Sequence, residues 1–104
     1  MSAVPFHSLA LTADGAVWSW GIGTNGQLGH GDQQFQLLPK KIEAFAGLRV
    51  VAVLAGAYYC LALTANGAVF TWGKGAFGCL GHGDQQNQLL PKKIEAWVQA
   101  GREV

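Results

Sequence analysis

The stretch LALTADGAVWSWGIGTNGQLGHGDQQFQLLPKKIEA, residues 9–44, returns as LALTANGAVFTWGKGAFGCLGHGDQQNQLLPKKIEA at residues 61–96. A shift of 52 residues aligns the two copies, and 28 of the 36 aligned pairs are identical. Among the differences, Asp14/Asn66, Trp18/Phe70 and Ser19/Thr71 keep similar chemistry. The 104 residues are therefore two periods, of a length that fits a propeller blade or a large solenoid unit.

Within one period the pattern reads as strands. Leu9 and Leu11 alternate, as do Leu61 and Leu63, and each run is followed by Asp14-Gly15 or Asn66-Gly67. These dipeptides between alternating apolar runs are the strongest short hairpin signal, because such turns need positive φ. The return strands are Ala16–Trp20 and Ala68–Trp72, where a period of two puts Trp18 and Trp20 on one face and Val17 on the other. A glycine-punctuated loop runs from Gly21 to about Gln36. Beyond it, Pro39 and Pro91 open segments that alternate as strands over Lys40–Phe45 and Lys92–Trp97. The run Arg49–Ala55 is apolar on both faces, as expected of an inner strand covered on both sides. No segment carries a convincing helical stripe, and only Ile94–Ala100 is ambiguous.

The expected fold is all-β, with two four-stranded antiparallel propeller blades per chain. The whole chain, 1–104, is one repeat region. The first repeat, 1–49, lacks most of its inner strand; the second, 50–97, is a complete blade; and residues 98–104 start a further inner strand.

Composition removes several classes of function. Charged residues make up 12% of the chain, half the roughly 25% of ordinary soluble domains, while 50% is hydrophobic, which excludes disorder. A net charge of +1 gives no electrostatic footprint for nucleic acid or an anionic membrane. The longest apolar run, Val50–Ala55, is far too short to span a bilayer, and the N-terminus has no basic region before an apolar one. Cys60 and Cys79 cannot make a disulfide framework; one bridge between them is open to them, but the expectation is two reduced thiols in an intracellular protein that is not secreted.

The run His7–Thr12, Asp14-Gly15, Val17–Gly21, then Asn25–Asp32 and Pro39, closely resembles the repeat of the regulator of chromosome condensation family. The second copy matches through Leu61–Gly73 and Gly78–Asp84, preceded by Val50–Gly56. The resemblance implies a bladed β-propeller, typically of seven blades. This chain departs from it in having two repeats, in Tyr59-Cys60 where the first copy has His7-Ser8, and in two extra residues within Trp97–Ala100.

The remaining motifs have bland readings that outweigh sharper ones. Gly21–Gly26 and Gly73–Gly78 spell GxGxxG, but the glycines that follow forbid the helix a dinucleotide site requires. No cofactor is expected. His30 with Asp32, and His82 with Asp84, supply too few ligands for a closed metal site, and such aspartates usually bond their own turn. His7-Ser8 has no third group or oxyanion hole at a telling spacing, so no residue is assigned to catalysis. Asp14, Gly15, Trp18, Trp20, Gly21, Gly26, Gly29 and Gly31 are read as turn and blade-packing positions, as are Asn66, Gly67, Trp72, Gly73, Gly78, Gly81 and Gly83. The tryptophans are not read as a light sensor. The plant ultraviolet photoreceptor that the resemblance brings in carries them in a Gly-Trp-Arg-His-Thr motif absent here. Lys40, Lys41, Lys92 and Lys93 form small basic spots, either a solvated strand edge or a contact for an acidic partner.

A blade cannot bury both faces alone, so repeat proteins generally need about three units. The expected function is a non-catalytic interaction scaffold that joins head to tail with copies of itself, three or four chains closing a propeller, with a protein partner on the rim or loops. A longer parent chain would complete the propeller equally well. In the self-assembled case Gly101–Val104 of one copy and Met1–Phe6 of the next share one inner strand. The alternative implied by the family is a guanine-nucleotide exchange factor for a small Ran-like GTPase associated with chromatin.

Overall fold

Each period folds as one four-stranded antiparallel sheet. A computed structural model describes residues 2–4 and 7–95, and side chains from His7 to Glu95 except Phe77. The expectations for Trp97 and for the strand start at 98–104 lie outside these residues. In the first sheet β1 (Ser2–Val4), β2 (His7–Leu11), β3 (Val17–Gly21) and β4 (Gln36–Lys41) lie side by side in chain order. The second sheet repeats the order with β5 (Val50–Ala55), β6 (Tyr59–Thr64), β7 (Val69–Gly73) and β8 (Gln88–Lys93). The innermost strand has three residues in the first sheet and six in the second.

The hairpins form where Asp14-Gly15 and Asn66-Gly67 point, but with a three-residue loop rather than a two-residue one. Thr12 N–H bonds Ala16 O at 2.9 Å and Gly15 N–H bonds Thr12 O at 3.0 Å, with Gly15 at φ 88°. This is a tight turn closed by one left-handed residue, a position that glycine fills without strain. Thr12 Oγ1 also bonds Asp14 Oδ1, which holds the Asp14 carboxyl below its usual range. Thr64 and Asn66 make the same side-chain bond in the second copy.

Two strand assignments need correction. The outer strands begin at Gln36 and Gln88, ahead of the prolines, and end at Lys41 and Lys93. Glu43–Phe45 is a single turn of 3₁₀-helix, not strand. A proline is tolerated because β4 and β8 are edge strands, and the ladder to β3 is irregular between Ser19 and Gly21, opposite the stretch holding Pro39. The inner strand β5 is also not covered on both sides: Val51 and Leu54 are exposed, while Val50 and Ala55 are buried.

The core lies between the sheets. Leu9 and Val17 of the first sheet, Ile42 and Phe45 of the connection, and Cys60, Ala62 and Trp72 of the second form one buried cluster. The rings of Phe45 and Trp72 meet edge to face at 5.5 Å, and those of Phe45 and Phe70 at 5.4 Å, a favoured aromatic geometry.

Candidate interaction site

The period-two alternation of β2 and β3 sorts their side chains into two sets. His7, Leu9, Val17 and Ser19 are buried against the second sheet, whereas Ser8, Ala10, Trp18 and Trp20 stand half-buried on the opposite face. In the second sheet the burial of β6 is inverted, while in β7 Val69 and Thr71 stay buried like Val17 and Ser19 and Trp72 is buried as well. Cys60, Ala62 and Trp72, the counterparts of Ser8, Ala10 and Trp20, are fully buried, while Tyr59, Leu61 and Leu63 are only half-buried. One junction between sheets is therefore made, and at the two ends of the molecule Ser8, Ala10 and Trp20 on one side and Tyr59, Leu61 and Leu63 on the other are left only half-buried.

The loop between β3 and β4 seals the made junction. Its Gln27 carbonyl accepts bonds from Trp72 Nε1 at 2.9 Å and Cys60 Sγ at 3.2 Å, and Gly31 N–H bonds Leu89 O at 2.9 Å. Gly26 lies so close to β8 that a Cβ there would stand 2.8 Å from Leu89 Cα. In the loop between β7 and β8 the glycines matching Gly26 and Gly31, Gly78 and Gly83, have no other sheet against them among the described residues. A Cβ on Gly78 would find only Asp84 O, at 3.7 Å, and one on Gly83 would find nothing within 4 Å. On the other end, Leu37 is 93% and Leu38 77% exposed, against a half-buried Leu89 and a Leu90 that is 51% exposed at the matching places.

Hydroxyl–imidazole pairs anchor each loop to its sheet. Ser19 Oγ donates to Leu28 O at 2.6 Å and meets His30 Nε2 at 2.9 Å; Thr71 Oγ1 does the same with Leu80 O and His82 Nε2 at 2.6 and 2.8 Å. Because each hydroxyl proton is committed to a carbonyl, the imidazole must donate from Nε2, so Ser19 has no base to activate it. Sequence reasoning missed this pairing; the eleven-residue separation of Ser19/His30 and Thr71/His82, kept in both copies, is the signal that carries it. Asp32 and Asp84 accept from Gln34 and Gln86 N–H at 3.1 Å, capping the turn rather than aiming outward. Among the described residues no group of three metal-ligating side chains comes together.

The basic spots sit on the edge strands beside their own acids. Lys40 and Lys41 line one small cleft with Glu43, and Lys92 and Lys93 another with Glu95. A cleft of about 350 Å³ beside the hairpin mixes Asp14 with Lys41 and Arg49. Cys60 is buried and its thiol is pushed well above the usual range, so it is inert; Cys79 is exposed, and both are free.

Histidine burial gives the junction a pH dependence. His7 is 2% exposed with no well-formed hydrogen bond to either ring nitrogen among the described residues; burial lowers its pKa, and the nearby Tyr59 backbone acts in the opposite direction. Burial, seconded by Lys40 and Lys92, also lowers His30 and His82. The folded state then binds fewer protons than the unfolded one, so stability is full above about pH 6.5 and falls as the pH drops below it toward the lowered folded values. Urea midpoints at pH 7.5 and 5.5 should show the loss at 5.5; an unchanged or higher midpoint there would contradict it.

No helix among the described residues is long and apolar enough to cross a membrane. The family pattern of the regulator of chromosome condensation (RCC1) repeat matches residues 14–63 and 66–100, and a second pattern for the same repeat matches 50–79. The chain is 47% identical over 90 residues to the human E3 ubiquitin-protein ligase HERC2, covering 86% of this chain and 2% of that protein. It is 47% identical over 88 residues to the ultraviolet-B receptor UVR8 of Arabidopsis thaliana, covering 85% and 20%. The chain thus spans a fifth or less of these relatives. Human WBSCR16 superposes with a TM-score of 0.78 at 29% identity over 88% of this chain and 25% of that one. Prp20p of Saccharomyces cerevisiae, whose structure is described with its binding to Gsp1p and histones, gives 0.76 at 26% over 86% and 23%. Matched by the repeat pattern over most of its length and superposing on these β-propellers with both sheets, the chain belongs to the regulator of chromosome condensation (RCC1) repeat family, as two blades of its β-propeller.

Proposed function

We propose that this chain is a non-catalytic interaction scaffold whose two blades, repeats 1–49 and 50–97, complete a propeller by self-association. The observation that carries this is the uncovered pair of junction halves, Trp20 with Leu37 and Leu38 at one end and Leu61 with Gly78 at the other. Apolar faces of this kind on a folded surface mark contact sites. Three or four chains supply six or eight blades, and the rim then presents Lys40, Lys41, Lys92 and Lys93 to a protein partner. The free thiols of Cys60 and Cys79 suit an intracellular, reducing compartment.

Guanine-nucleotide exchange, the alternative, needs a surface drawn from several blades and an element that pries at the nucleotide site. The loops between β3 and β4 and between β7 and β8 are of equal length, and the first is consumed in packing on β8. Release of a fluorescent guanine nucleotide from a Ran-type GTPase should be unchanged by this chain. Acceleration of about tenfold or more would replace the scaffold reading with exchange.

A further inference from the structure

The self-association proposed above leaves open how copies meet, and the internal junction supplies a template. Its donors and acceptors are kept in both repeats where they matter. The acceptor for Trp72 and Cys60 is the backbone carbonyl of Gln27, so its replacement by Cys79 in the second loop leaves the acceptor intact. Trp20 stands where Trp72 does, and Ser8, a better hydrogen-bond donor than a thiol, stands where Cys60 does.

We infer that copies join head to tail in the register of the internal junction, the 74–87 loop of one chain lying over Leu37 and Leu38 of the next. Trp20 Nε1 and Ser8 Oγ of the second chain then donate to the Cys79 carbonyl of the first. Gly78 approaches the backbone at Leu37 as Gly26 approaches Leu89, where a Cβ would stand 2.8 Å from Leu89 Cα. The partner is a second copy because each end is the missing half of the other. The repeat keeps the glycines, Trp20/Trp72 and the leucines of the junction, while the differences Ile22/Lys74, Thr24/Ala76, Asn25/Phe77 and Gln27/Cys79 lie in the loop and leave its backbone acceptor in place. The contact is heterologous, so every chain carries one socket and one plug.

That asymmetry permits a mixing test. Leu37→Asp spoils the socket at a side chain 93% exposed in the single chain, and Leu38→Asp is its substitute should the first fail to fold. Gly78→Asn spoils the plug with a residue that tolerates the left-handed backbone, φ 68°, and has open space around it in the single chain. Circular dichroism checks that each variant is folded, and light scattering gives the particle mass. Each variant alone should run as a single chain of 11.0 kDa, with association weakened on the order of 100-fold. The equimolar mixture should form a one-to-one dimer and nothing larger, since one sound socket and one sound plug remain. Variants that assemble like the parent, or a mixture that stays monomeric, overturn the register while self-association stands. A parent chain that never associates overturns both.

Discussion

Alanine in place of Trp72 is expected to cost about 3–5 kcal/mol, the range for removing a fully buried large aromatic ring. Trp72 is fully buried, packs edge to face on Phe45 and donates to the Gln27 carbonyl at 2.9 Å. Its loss opens a cavity between the sheets and strips that carbonyl of its best donor. Small domains are stable by only about 5–15 kcal/mol, so the variant should be largely unfolded or melt far earlier. Trp20→Ala at the matching place in the first sheet should cost about 1 kcal/mol in the single chain, because Trp20 is half-buried with no blade against it. Urea denaturation of dilute protein measures both. Equal losses would contradict a junction that buries Trp72 and leaves Trp20 half-buried.

The second large effect belongs to Gly26. A Cβ there would stand 2.4 Å from Leu89 Cδ2 and 2.8 Å from Leu89 Cα, at a φ of 76°. Gly26→Ala combines left-handed strain with overpacking against backbone that cannot step aside, and should cost about 3 kcal/mol or more. Gly78→Ala carries only the strain, about 1 kcal/mol, since its neighbourhood is open. The same denaturation experiment compares them, and a Gly78 variant as damaging as the Gly26 one would contradict the open second loop.

Strand order was legible because it is written twice. Alternation in Leu9–Leu11 and Val17–Trp20, with a glycine-closed turn between, leaves one way to pair, and repetition over a 52-residue shift removes accident. The tight glycine loops were legible for the same reason. What the sequence concealed depends on neighbours. Two nearly identical repeats give no hint that Trp72 is buried and Trp20 is not, since the difference lies in which sheet has a partner on that face. Arg49–Ala55 read as covered on both sides because its composition suits a complete propeller, whereas here Val51 and Leu54 meet solvent. Pro39 and Pro91 read as strand starts because proline cannot donate to a ladder, yet the outer strands begin ahead of them, since an edge strand with an irregular ladder can hold a proline. The Ser19–His30 pair joins residues on a strand and a loop, and no local pattern reports that distance.

The central claim is that the two ends of this chain are complementary halves of one interface. Sedimentation of the purified 104-residue chain over a wide concentration range tests it most directly. A species of three or four chains that dissociates on dilution is the predicted result. A compact single chain at every concentration, melting cooperatively with Trp20 and Leu37 left in water, would contradict it.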